Sequence, residues 1–102
     1  MKAVYAINTF IECDIDSRGY PVTSGLRCPG IYETEEDARK AVETNNGDIH
    51  EYTYDYALIQ RVEFGLYEVE DIIWYKWDEE KEEYIEIPTP NGYEHYIVGA
   101  IG

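Results

Sequence analysis

Apolar residues fall along this chain mostly in short runs with the near-alternating period of strands, and one segment carries helical spacing. From Ala3 to Cys13 the residues are rich in Val, Ile, Tyr and Phe, which predicts a first strand. Asp14 to Leu26 carries Gly19, Pro21 and Gly25 and reads as a long hairpin loop. Arg27 to Tyr32 predicts a short second strand, at an edge or bulged because Pro29-Gly30 interrupts it. Ile31 to Gly47 holds the helix. Thr34 is its N-cap, Asp37 stands three residues on, and Glu35, Glu36 and Asp37 place negative charge where the helix dipole favours it. Glu35–Arg39 and Glu36–Lys40 are i,i+4 pairs in the favourable order, each worth roughly 0.2–0.5 kcal/mol. Asn45-Asn46-Gly47 tolerates left-handed backbone and ends the helix. Its apolar stripe, Ala38, Ala41 and Val42, is narrow and suits close packing on a sheet.

Tyr52, Tyr54 and Tyr56 alternate with Thr53 and Asp55, which suits a strand showing tyrosines on one face. In Ala57 to Tyr67 the residues Leu58, Gln60, Val62, Phe64 and Leu66 share a face, with Gly65 as a candidate bulge. After an acidic turn at Glu68 to Asp71, the runs I-I-W-Y-K-W and Y-I-E-I-P flank D-E-E-K-E-E and predict a hairpin. Thr89-Pro90-Asn91-Gly92 is a turn, and Tyr93 to Ala100 a closing strand. The expectation is one α+β domain over residues 1–102. It has a twisted antiparallel sheet of five or six strands, with one α-helix (about 34–46) packed on one face.

Charge changes the picture most. The chain has 22 acidic and 8 basic residues in 102, a formal net charge of −14. Such a field repels nucleic acid and anionic membranes and favours a basic protein surface as partner. No apolar run approaches the roughly 20 residues of a membrane span, and Met1 to Tyr5 leads directly into a strand pattern, so the expected location is cytoplasmic. Cys13 and Cys28 are then expected as free thiols. Oligomeric state is open, a dimer included.

Chemical motifs are sparse. Asp14, Asp16 and Gly19 begin like a calcium loop, but Arg18 takes the fifth position and Gly25 the twelfth, where a bidentate Glu belongs. Cys13, Cys28, His50 and His95 include no short-spaced pair for zinc. Ser17 and Ser24 lack a nucleophile motif, and no phosphate-binding glycine loop occurs. No cofactor, metal or catalytic residue is expected.

Two features stand out. An acidic band comprises Glu68, Glu70 and Asp71, then Asp78, Glu79, Glu80, Glu82 and Glu83, at opposite ends of the predicted hairpin. A closely spaced carboxylate array can imitate nucleic-acid phosphates and occupy a basic groove. An aromatic set, Trp74, Tyr75, Trp77 and Tyr84, with Tyr52, Tyr54 and Tyr56, accompanies it; Trp74 and Trp77, three apart in a strand, point to opposite faces. Trp74, Trp77 and Tyr84 with the acids form the candidate partner-binding set, since an exposed ring beside acids has hot-spot composition.

The segment G-I-Y-E-T-E-E-D-A-R-K-A-V resembles a pattern in small uncharacterised phage and bacterial proteins. There a β-hairpin leads into a "y-x-T-E-E-x-A" helix on an antiparallel sheet. In size, acidity and want of catalytic motifs the chain also resembles anti-CRISPR proteins and other phage anti-defence inhibitors. That resemblance implies a non-enzymatic inhibitor acting as a nucleic-acid mimic. The alternative expectation is a metabolite- or nucleotide-binding protein with a tyrosine-lined cleft.

Overall fold

Residues 3–18, 21–63, 69–90 and 93 of the computed structural model are described. Among them the elements run β1 (Ala3–Phe10), β2 (Glu12–Ile15), β3 (Pro21–Ser24), β4 (Arg27–Tyr32), α1 (Glu35–Glu43), β5 (Tyr56–Glu63), β6 (Val69–Asp78) and β7 (Glu83–Ile87). The main sheet has five strands in the order β4-β1-β5-β6-β7, every neighbouring pair antiparallel. β2 and β3 form a separate two-stranded sheet. The fold is therefore α+β, with one short helix on the five-stranded sheet. No helix among the described residues is long and apolar enough to cross a membrane.

The helix starts as its sequence dictates. Thr34 Oγ1 accepts from the Asp37 amide at 3.1 Å, and Arg39 Nε lies 2.7 Å from Glu35 Oε2. It stops at Glu43, three residues short of the expected end, because Thr44 is the cap and Asn45 takes φ 49°. Ala38, Ala41 and Val42 are buried against Ile7, Ala57, Ile59, Ile73, Tyr75 and Tyr84. Small side chains on the helix let it approach the larger ones of the sheet. On the opposite face Phe10, Leu58, Trp74 and Tyr93 form a second cluster. Trp74 is 2% exposed, stacked on Phe10 at 5.8 Å and edge-on to Tyr93 at 5.7 Å. The two tryptophans thus do lie on opposite faces, as strand period requires.

A polar chain runs through the same face as Trp74. Asn8 Nδ2 donates to Gln60 Oε1 at 2.9 Å, and Gln60 Nε2 donates to Asp71 Oδ1 at 2.7 Å. Asn8 and Gln60 are fully buried. Burial holds the Asp71 carboxyl above its usual range, against the lowering effect of the Gln60 amide. The geometry depends on a register shift at Ile59/Gln60, where Ile72 is the extra residue of β6.

Four expectations need correction. Ala3 to Cys13 is not one strand: β1 ends at Phe10, and Ile11 donates its amide to Ser24 O at 2.8 Å as the chain leaves the sheet. Asp14 to Leu26 is not simply a loop, because β3 lies in it and pairs with β2, from Glu12–Ser24 to Ile15–Pro21. Gly25 turns the chain from β3 toward β4 at φ 70°, with Ile11 so near that an added Cβ would lie 2.5 Å from its side chain. Tyr52 to Tyr56 is not a strand: Asp48, Glu51 and Tyr52 take φ of 57°, 48° and 55°, and only Tyr56 joins β5. Glu70 and Asp71 belong to β6 rather than to a turn, because the Gln60 amide and the ladder with β5 take them up. The candidate bulge at Gly65, the positions Phe64 and Leu66, the turn residues Asn91 and Gly92, and the closing strand beyond Tyr93 lie outside the described residues.

Tyr93 ties the small sheet to the large one. Its hydroxyl accepts from the Asp14 amide at 2.8 Å and reaches the carbonyls of Asp14, at 2.7 Å, and of Val22. One hydroxyl proton serves one carbonyl at a time.

Candidate functional site

The segment from Asp48 to Asp55 has no regular secondary structure, yet four elements hold it. From the end of α1, Asn45 Oδ1 accepts from the His50 amide at 2.9 Å. Asp48 Oδ1 accepts from Glu51 N at 3.2 Å and Asn45 Nδ2 at 3.3 Å, which satisfies donors that the left-handed turns leave open. From β4, Arg27 Nη2 donates to Ile49 O at 2.7 Å and Nη1 lies 2.8 Å from Glu51 Oε1. Its guanidinium sits 4.3 Å over the Tyr54 ring. From β6, the Trp77 amide donates to Asp55 O at 2.7 Å; from β7, the Tyr84 hydroxyl donates to Tyr54 O. Burial, reinforced by the Asp55 charge, pushes the Tyr84 hydroxyl up, so it stays a neutral donor.

His50 is the pivot. It is 4% exposed, stacks on Trp77 with centroids 3.8 Å apart and planes 9° apart, and meets the edge of Tyr84 at 6.0 Å. Its Nε2 lies 2.9 Å from Asp55 Oδ1, which fixes the ring's orientation. Tyr52 leans over it at 6.2 Å and is 94% exposed.

The β6–β7 hairpin tip is built by Asp78, whose Oδ1 accepts from Glu80 N at 2.9 Å and Lys81 N at 3.2 Å. Glu82 then turns the chain with φ 53°. This tip reaches the 48–55 segment. Together they enclose a groove of about 240 Å³ lined by Asn45, Asp48, His50, Tyr52, Trp77, Glu79 and Glu82. Its walls are three rings, three carboxylates and the Asn45 amide, with no lysine or arginine among the lining.

The candidate partner-binding residues separate into three groups. Trp77, Glu79 and Glu82 line the groove; Glu80 and Glu83 lie exposed beside it at the tip, where Asp78 is occupied as turn builder. Trp74 and Tyr84, at 2% and 3% exposure, offer no surface to a partner. Glu70 and Asp71 lie at the far end of β6, and Asp71 is roughly 23 Å from Asp78 at the usual strand rise. Glu68 lies outside the described residues. The acidic band is therefore split, and only its second half meets the aromatic set.

The three alternating tyrosines also part company: Tyr52 at the groove, Tyr54 under Arg27, and Tyr56 within 5.6 Å of the Lys76 ammonium. Asn45, Asp48 and His50 were not legible as site residues, and Tyr52 only as one of the aromatic set. The signal available was Asn and Asp on a stretch ending a helix, which marks turns but not where they fold.

Cys13 and Cys28 are free thiols; burial pushes Cys13 up to about 12 and Cys28 upward too, so both are poor nucleophiles. Among the described residues no group of three or more His, Cys, Asp or Glu is placed to hold a metal ion. No family model, curated protein or solved structure matches the chain, so the site rests on its own geometry.

Proposed function

We propose that this is an acidic, non-enzymatic binding protein that occupies a basic surface of another protein. The kind of surface is one that a nucleic-acid-handling effector offers its ligand, and the mode that of an anti-CRISPR-type phage inhibitor. The observation that carries this reading is the groove in which Glu79 and Glu82 of the hairpin tip meet Asp48, Tyr52 and the His50–Trp77 stack. Carboxylates beside the exposed Tyr52 ring suit steering by charge followed by anchoring on an aromatic. Binding rather than catalysis is supported by how His50 is used: one ring face lies on Trp77 and Nε2 is held by Asp55, so the imidazole serves as a wall. The net charge of −14 adds long-range attraction for a cationic partner.

The test is capture from a bacterial lysate over a salt series, with a polyglutamate resin as control. A nucleic-acid-binding protein retained beyond the control and released steeply by salt is expected. Reversing charge at Glu79, Glu80, Glu82 and Glu83 to Lys is expected to abolish its retention. Retention unchanged by the four reversals sinks the proposal.

A further inference from the structure

The groove accommodates something small. About 240 Å³ lies below the roughly 300–1,000 Å³ of pockets that take drug-sized or cofactor-sized ligands, so a single long side chain fits it better than a nucleotide. Its chemistry restricts the choice further. Asp48, Glu79 and Glu82 demand a cation, and the rings of Trp77, His50 and Tyr52 demand one that tolerates flat apolar surface. Among the described residues neither Glu79 nor Glu82 makes a hydrogen bond or ion pair through its carboxylate. Glu35, Glu51 and Glu63, by contrast, each hold an arginine of this chain.

We propose that the groove is an arginine slot: it takes one guanidinium of the partner protein between the Tyr52 ring and the Glu79 and Glu82 carboxylates. This rests on the reading of the protein as a binder of a basic protein surface and names the side chain recognised there.

Arginine fits better than lysine for a physical reason. Its planar, weakly hydrated fork can lie on an aromatic face while its edge donates to two acceptors, whereas an ammonium is a hydrated point charge. The same loop already holds an arginine in this way. Arg27 lies 4.3 Å over Tyr54 and pairs with Glu51 at 2.8 Å, on the β4 side of the segment. Tyr52 and the tip glutamates repeat that ring-and-carboxylate combination on the solvent side, with no arginine of this chain to fill it. The loop backbone is set before binding, because Asn45, Arg27, Tyr84 and the Trp77 amide fix it; the ordering cost is confined to the side chains of Tyr52, Glu79 and Glu82.

The experiment is a titration of the full chain with N-acetyl-arginine methylamide, and separately with the lysine analogue, followed by NMR of the Trp77, His50 and Tyr52 ring resonances. Saturable shifts at those rings are expected with arginine, with the lysine analogue several-fold weaker. In E79Q/E82Q the arginine affinity should fall by about tenfold or more, the scale of losing charge-assisted contacts. Both glutamates are exposed, so the variant keeps the fold, as an unchanged amide spectrum would verify. Equal shifts with lysine, shifts that survive the double variant, or no saturable shift at the three rings would each overturn the slot. If the slot fails while the four-site charge reversal still abolishes partner capture, only this inference falls. If both fail, the acidic-binder reading falls with it.

Discussion

Tyr52→Gly is expected to stabilise the fold slightly while removing the groove's exposed ring. Tyr52 has φ 55°, a left-handed backbone that costs an L-residue roughly 1–2 kcal/mol and glycine nothing. Against that gain stands the extra chain entropy glycine loses on folding, about 0.5–1 kcal/mol. The side chain is 94% exposed, so almost no apolar burial is forfeited. The tilted contact with His50 at 6.2 Å lies toward the long end of aromatic pairing, and losing it costs about 0.5 kcal/mol at most. The balance is a gain of about 0.5 kcal/mol, or roughly 2–4 °C in the melting midpoint for a domain of this size. Urea unfolding and thermal melting of the two proteins measure it directly. Tyr52→Asn, which tolerates the same backbone, should lie between them. A loss of more than about 1 kcal/mol would refute the reasoning, because the ring would then be supporting the fold. A neutral or stabilising result leaves the tyrosine without a folding role, which is what a binding residue on strained backbone predicts.

Two further outcomes concern the buried polar chain. Gln60→Leu removes both the acceptor of Asn8 Nδ2 and the donor to Asp71 Oδ1, and should cost about 1–3 kcal/mol in denaturant unfolding; a loss below about 0.5 kcal/mol would mean that neighbouring groups replace it readily. Asp71 is protonated more readily in the folded chain than in the unfolded one, since burial raises its carboxyl. The folded state therefore binds the proton more tightly, so this contribution is fully present below the ordinary carboxylate range and is lost as pH rises through the raised value. Asp71→Asn keeps an acceptor for Gln60 and should stabilise the protein at neutral pH relative to the parent. That advantage should shrink on acidification, and an advantage independent of pH would contradict the assignment.

Local order was readable in the residues themselves where the deciding interactions are short-range. Thr34 with three acids after it fixes the helix start, because cap and dipole act within one turn. The alternation around Trp74 and Trp77 sends them to opposite faces, because strand period is a property of the backbone. The D-E-E-K-E-E tip between apolar runs makes a hairpin for the same reason, and Pro29 keeps β4 at the sheet edge. What misled were segments whose conformation is decided by distant partners. Tyr52 to Tyr56 has strand alternation, but Tyr84 at the Tyr54 carbonyl, with Arg27 and Asn45 at Ile49 and His50 just before it, holds the segment out of the sheet. Val69 to Asp71 has turn composition, but the β5 ladder and Gln60 draw it into β6.

The sequence by itself determined the class of the fold, the helix, the hairpin and the acidity. The tertiary structure alone decided that the hairpin tip meets the 48–55 segment, that His50 is the floor between them, and that Trp77 rather than Trp74 faces the groove. Charge and periodicity are properties of the chain; a groove is a property of which surfaces close on each other. That closure depends on single long-range contacts, such as Tyr84 to the Tyr54 carbonyl, that leave no periodic trace in the residues that make them.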